Sequence, residues 1–361
     1  VTSIGERAFG YCSSLTSVTI GNGVTSIGYD AFYDCSELKN IYITDLTAWC
    51  NISGLNYLMI YGSSAKNFYL NNELVTNLTI PDGVTSIDDW AFRGCSGSYA
   101  FKGCSGLTSI TIPDSVTSIG GSAFYGCSEL KNIYITDLTA WVNISGLDDL
   151  MWYGSSTKNF YLNNELVTNL TIPNDVTSIG DGAFSGCSGL TSVTIPDGVT
   201  SIGSYAFRGC SSLSSITIPD SITSIRQYAF SGCSGLTSIT IGNSVTSIGE
   251  RAFYDCSKLT SVIWNAENCT KAGSNKYPIF FGCSKLSSIT IGENVKTIPA
   301  YAFKSGITSI TIPDSVTSIG SYAFEGCRRL TSIIISDGVT SIGYQAFCGC
   351  SELKNIYITD L

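Results

Sequence analysis

The sequence has no histidine and only two methionines, and charged residues fill 13% of its 361 positions, against about a quarter in an ordinary globular domain. Without histidine a serine–histidine base pair cannot form, and general acid–base chemistry would fall to carboxylates. Lys and Arg number 19 against 28 Asp and Glu, a formal net charge of −9, and no basic cluster is present to neutralise phosphates, so nucleic acid is excluded as a partner. No apolar run approaches the length needed to cross a bilayer, so no membrane insertion is expected. Glycine-rich phosphate loops and calcium-binding acidic loops are missing as well, and no cofactor is implied.

What is abundant is Ser, Thr, Ile and Gly, with 43% hydrophobic residues, the composition of a β-rich chain whose outer faces are hydroxyl and amide. These residues recur. Ala-Phe pairs at Ala8, Ala31, Ala100, Ala123, Ala183, Ala206, Ala229, Ala252, Ala323 and Ala346 step by 23 residues within each group, and the unit reads AFxxCSxLTSITIPDxVTSIGxx. In Leu190 to Ile195 polar and apolar residues alternate, so Val193 and Ile195 face inward and Ser192 and Thr194 outward, as in a half-buried strand. Pro196-Asp197-Gly198 turns the chain, Val199 to Gly203 forms a second short extended piece, and Ala206, Phe207 and Cys210 fill the interior. One such rung cannot bury its apolar side alone, so rungs must stack and their strands must form a parallel sheet. Strands of this type begin at about fourteen places, from Leu15 to Leu353.

Four interruptions break the period. Two are near copies, Cys35 to Gly94 and Cys127 to Gly186, set 92 residues apart. In the first, Asp45 is placed to cap a short helix carrying Leu46 and Trp49. Phe68-Tyr69-Leu70 meets Glu73-Leu74-Val75 across Asn71-Asn72, a two-residue hairpin turn expected to project from or widen the coil. The third interruption duplicates AFxGCSG between Ala91 and Gly106; the fourth, Asn265 to Pro278, replaces the second strand of a rung. A two-residue deletion near Ser305 removes a core cysteine. The expected architecture is a single repeat solenoid over 1–361, with super-repeat inserts at about 44–80 and 136–172 and a loop at about 265–278. Val1 to Gly5 reads as the middle of a repeat, and Cys350 to Leu361 reopens the longer repeat. The chain is therefore expected to be a fragment whose uncapped ends associate end to end.

The AFxxC, LTSITIP and VTSIG elements resemble the BspA-like leucine-rich-repeat family over nearly the whole chain. The resemblance implies a leucine-rich-repeat solenoid of the 23-residue type: a right-handed curved coil with a parallel sheet, short second strands and short helical turns. It also implies a secreted or cell-surface protein, of bacteria or some parasitic protists, of a kind often implicated in adhesion to host proteins or other cells.

Among 15 cysteines, Cys12, Cys35, Cys95, Cys104, Cys127, Cys187, Cys210, Cys233, Cys256, Cys283, Cys327 and Cys350 share one repeat position and read as an interior column of free thiols. Metal binding is not expected, since zinc sites want converging ligands and histidine is absent. Off the column stand Cys50, replaced by Val142 in the second copy and so a packing residue, Cys269, and Cys348, the one candidate for a redox role. Asp82, Asp114, Asp197, Asp220, Asp314 and Asp337 recur in turns and read as turn-makers; no catalytic residues are assigned. Five Asn-x-Ser/Thr sites, at Asn51, Asn77, Asn143, Asn169 and Asn268, are what chance gives in so Ser/Thr-rich a chain.

Outward Ser/Thr pairs such as Ser17/Thr19, Ser109/Thr111, Ser192/Thr194, Ser215/Thr217 and Ser238/Thr240 should form hydroxyl ladders. Super-repeat rungs replace them with Asn40/Tyr42, Asn132/Tyr134 and Asn355/Tyr357. Exposed Tyr and Asn make good contact residues, so the candidate ligand-binding set is Asn40, Tyr42, Trp49, Tyr57, Asn132, Tyr134, Trp141, Trp152, Tyr153 and Tyr357, with Tyr61 beside them. Trp264 occupies an inward Ile slot and belongs to the core. The function expected is a non-enzymatic, extracellular protein-interaction or adhesion module that binds host or partner-cell proteins through the solenoid face and the inserts. The alternatives are a structural spacer in a long surface protein, or carbohydrate or ice binding by the hydroxyl ladders.

Overall fold

The computed structural model describes residues 1–62, 66–93, 106–152, 156–304 and 307–358. Tyr153, Cys95, Cys104, the deletion at Ser305 and nearly all of the duplicated AFxGCSG stretch lie outside the described residues. The backbone forms two compact units, Val1–Leu166 and Val167–Leu361, each a stack of rungs.

In the second unit the rung takes the form its pattern dictates. Ser215–Thr217 pairs in parallel with Ser238–Ile241, in the register Ser215 to Ser238 and Ile216 to Ile239. The ladder then runs through Ser261–Trp264, Ser288–Ile291, Ser309–Ile312, Ser332–Ile335 and Asn355–Ile358 as a seven-stranded sheet. Second strands Ser178–Ile179, Ser201–Ile202, Ser224–Ile225, Ser247–Ile248 and Lys271–Ala272 make their own five-stranded parallel sheet. The segment from Asn265 to Pro278 thus keeps its second strand, contrary to the sequence pattern, with Ala272 in register with Ile248. A small buried alanine fills the Ile slot there, which is why the alternation looked lost.

Between the sheets the interior is columnar. Phe207, Phe230 and Phe253 stack with centroids 5.3 Å apart and planes within 5°, and Trp264 is fully buried against Phe303. Most described column cysteines are placed so that the thiol donates to the phenylalanine carbonyl of the preceding rung, as in Cys210 to Phe184, Cys233 to Phe207 and Cys256 to Phe230, at 3.2 to 3.3 Å. Cys327 reaches Phe303 in the same way at 3.1 Å. Cys12, contrary to the interior column expected, is exposed. Threonine hydroxyls do similar work at the edge, Thr200 bonding the Thr177 carbonyl, Thr223 that of Thr200 and Thr246 that of Thr223 at 3.1 to 3.2 Å.

The AFxxC turn needs two left-handed residues per rung. The residue before Cys is often Gly, as in Gly209 and Gly232 (φ 73° and 72°), but the residue before Ala-Phe is Tyr205, Tyr228 or Arg251 with φ of 59°, 55° and 53°. A non-glycine residue there costs about 1–2 kcal/mol. Stacking of Tyr205 on Tyr228, centroids 5.0 Å apart at 11°, returns about 0.5–1.5 kcal/mol, which explains why large side chains persist at a position that favours glycine.

Besides two-stranded sheets of second strands, Ser3–Ile4 with Ser26–Ile27 and Ser86–Ile87 with Ser118–Ile119, the first unit contains two larger sheets among the described residues. One is Ser17–Ile20, Asn40–Ile43, Asn67–Leu70 and Glu73–Leu74; the other is Asn77–Thr79, Ser109–Ile112, Asn132–Ile135, Asn159–Leu162 and Glu165–Leu166. These reveal what the inserts are. Asn67–Leu70 pairs in parallel with Asn40–Ile43, Asn40 to Asn67 and Tyr42 to Tyr69, so the first arm of the hairpin is itself a strand of the stack, and of the two expectations the hairpin widens the coil. The second copy repeats this with Asn159–Leu162 beside Asn132–Ile135. Asn71 and Asn72, with φ of 53° and 67°, make the expected two-residue turn to an antiparallel arm. Helices α1 (Leu46–Cys50) and α2 (Asn56–Met59), and in the second copy α3 (Leu138–Val142) and α4 (Leu147–Trp152), lie between the two strands of each widened rung. Asp45 and Asp137 cap α1 and α3 by accepting the amides of Ala48 and Ala140, each at 3.0 Å.

Candidate functional site

Register places the outward residues of the insert strands side by side. Tyr42 lies on Tyr69 with centroids 4.4 Å apart and planes 12° from parallel. Beside them the Asn67 side-chain amide donates to Asn40 Oδ1 at 2.8 Å. The second copy repeats the arrangement in Tyr134 on Tyr161, 4.4 Å and 12°, with the Asn159 amide donating to Asn132 Oδ1 at 2.8 Å. All eight side chains are half-exposed on the outer side of their strands, while Ile41, Phe68, Ile133 and Phe160 between them are buried. Burial against its partner raises the Tyr134 phenol above its ordinary pKa. Each pair is a flat aromatic platform with an amide pair at its edge, held rigid by strand register and stacking. Sequence reasoning found one half of each platform and missed Asn67, Tyr69, Asn159 and Tyr161, which it assigned to a hairpin.

The remaining candidates separate. Trp49 and Trp141 are 1% exposed and are not surface residues, contrary to expectation. Trp49 packs on Phe68 and its Nε1 donates to the Ala91 carbonyl at 3.2 Å, and Trp141 packs on Phe160; both fasten a short helix to the interior. Cys50 and Val142 are buried beside them, as a packing role requires. Tyr57 is half-buried edge-on to Tyr29, away from the strand face, and Trp152 is 48% exposed at the end of α4. Tyr61 bonds Asp30, a buried carboxylate that also pairs with Arg7 at 3.5 Å. The hydrogen bond to that carboxylate pushes the Tyr61 phenol up to about 12. Tyr357 is 55% exposed and Asn355 is exposed; their register partners on the preceding strand are Ile334 and Ser332.

Of the hydroxyl ladders, Ser192, Thr194, Ser215 and Thr217 are exposed as expected, but Ser109 is buried, donating to Asn77 Oδ1 at 2.6 Å. Two lysines overlooked in the sequence, Lys66 and Lys158, hold equivalent buried places in the inserts, and Lys66 donates to the Tyr61 carbonyl at 2.7 Å. Cys348 is exposed; two residues on, the neighbouring Cys327 side chain holds Cys350 below its ordinary pKa. Among the described residues no group of three or more Cys, Asp or Glu converges as a metal site, and no helix is long and apolar enough to cross a membrane.

Six copies of a family model described as a BspA type leucine rich repeat region match residues 1–97, 96–166, 155–277 and 274–361. A leucine-rich repeat protein from Eubacterium ventriosum is similar in structure, with 24% identity and a TM-score of 0.52 over 100% of this chain and 82% of that one. A leucine rich cell surface protein from Faecalibacterium prausnitzii is 29% identical, with a TM-score of 0.38, over 79% of this chain and 88% of that one. For a leucine-rich repeat protein from Bacteroides ovatus the values are 27% and 0.43, over 99% and 82%. No curated protein matches the sequence.

Proposed function

Since this chain belongs to the BspA-type leucine-rich-repeat family, we propose that it is a non-catalytic protein-interaction module, secreted or displayed at a cell surface, that adheres to host or partner-cell proteins. Recognition lies in the insert rungs, and the regular rungs are scaffold. The observation that carries this reading is the pair of matching Tyr–Tyr and Asn–Asn platforms, Tyr42/Tyr69 with Asn40/Asn67 and Tyr134/Tyr161 with Asn132/Asn159. Tyrosine supplies large amphipathic contact area with little rotamer freedom, and here its rotamer is already fixed by a stacked neighbour, which lowers the ordering cost of binding. Two copies on one unit allow two weak contacts to add.

A screen of the chain against immobilised extracellular proteins tests this, repeated with Tyr42→Ala and Tyr134→Ala combined. The variant is expected to keep the wild-type melting temperature within a few degrees and to weaken the captured interaction by roughly tenfold or more, the effect of removing central aromatic contacts. Unchanged binding would remove the platforms from the proposal, and failure to capture any protein would favour a spacer role.

A further inference from the structure

The second unit contains a groove of about 440 Å³ that the platform reading does not use. It opens over the second strands, with Ile225 and Ile248 at its floor and Ser204, Arg226, Gln227, Glu250 and Lys271 among its lining residues. Its walls stand where the repeat departs from itself. Most rungs close the second strand with Gly, and at Gly203 and Gly249, on either side of the groove, an added Cβ would overlap the preceding rung at Asp181 and Gln227. The rung between them carries Arg226. On the far side Lys271 stands in the register position that Ser224 and Ser247 occupy on the two preceding rungs. In a chain with only 19 basic residues, two of them replace small repeat residues at one groove. Neighbouring strands lie about 4.8 Å apart, so the two rungs are roughly 10 Å from each other.

Neither cation is spent on the fold. Arg226 Nη1 is 3.6 Å from Asp181 Oδ1, in a pair whose side chains are 61% and 45% exposed. Asp181 is independently satisfied by the Ser204 amide at 2.7 Å. An open pair of this kind is worth little, so a ligand carboxylate that takes the guanidinium fork bidentately can displace Asp181 from it. The serine hydroxyls and the Gln227 amide both donate and accept. The two isoleucines of the floor are buried, so they offer little apolar surface to a peptide side chain. We propose that it binds acidic saccharides, a uronate carboxylate on Arg226, a second acidic group on Lys271, and ring hydroxyls on the serines, Gln227 and the Glu250 carboxylate, which can only accept from a hydroxyl.

The full chain titrated calorimetrically with a galacturonate trisaccharide tests this, with maltotriose as the neutral sugar and triglutamate as the non-sugar polyanion. Arg226→Gly and Lys271→Ser restore the residues of neighbouring rungs, so both variants should melt as the wild type does. Binding of the trisaccharide is expected, falling roughly tenfold or more in each variant and weakening with salt. The proposal is overturned if the wild type does not bind the trisaccharide, if the double variant binds it equally, or if maltotriose or triglutamate binds as tightly. Failure here leaves the platforms of the first unit untouched, because the groove shares no residue with them.

Discussion

At the scale of single residues, the cysteines show how a repeat position acquires meaning from its neighbours. The column was legible because the same spacing recurs without histidine. The thiol hydrogen bond to the phenylalanine carbonyl one rung back was not legible, because it joins residues 26 positions apart. Burial pushes the Cys233 and Cys50 thiols up to about 12 and raises Cys210 well above its ordinary value. An unfolded thiol titrates near about 8.5. A raised folded-state value means that stability is fully present below that pH and is lost as pH rises toward about 12, because the unfolded chain releases protons that the folded one retains. Denaturant unfolding should therefore be flat from pH 7 to 8 and decline above pH ~9, by up to about 1.4 kcal/mol per pH unit for each buried thiol. A flat profile to pH 10.5 would mean that the column is not protonated and buried as described. Trp49 teaches a related lesson. Its place in an insert suggested exposure, yet Leu46, Trp49 and Cys50 stand at helical spacing behind an Asp45 cap, which is the sign of one apolar face turned inward.

Among the secondary elements, the regular strands could be read from the period alone, since alternation fixes which side is buried and stacking fixes the partner. The strands Asn67–Leu70 and Asn159–Leu162 could not. Their alternation was visible, but local pattern pointed to the hairpin arm a few residues on, and nothing local identifies a parallel partner 27 residues earlier. The missed halves of the platforms follow from that one misassigned register. The hairpin turn itself was legible in Asn71-Asn72, the amino acid other than glycine that best tolerates left-handed backbone. Asn72→Val, placed at φ 67°, should lower stability by about 1–2 kcal/mol, whereas Asn72→Gly should be neutral or stabilising. Equal stability of the two variants in a denaturant titration would contradict the turn geometry.

For the molecule as a whole, low charge and absent histidine favour contact over catalysis, and the period dictates the architecture. Each of the two units is a stack whose regular rungs repeat nearly unchanged, so whatever distinguishes one surface region from another must come from departures: Tyr and Asn for Thr and Ser on the insert strands, Arg226 for Gly and Lys271 for Ser at the groove. The central claim is that the insert platforms meet the partner while the hydroxyl rungs do not. Hydroxyl-radical footprinting of the chain with and without a captured partner protein tests it most directly. Tyr42, Tyr69, Tyr134 and Tyr161 are expected to become protected, with the strands from Ser192 to Thr240 unchanged. Protection of those regular strands, with all four tyrosines still oxidised at the free-chain rate, would contradict the account.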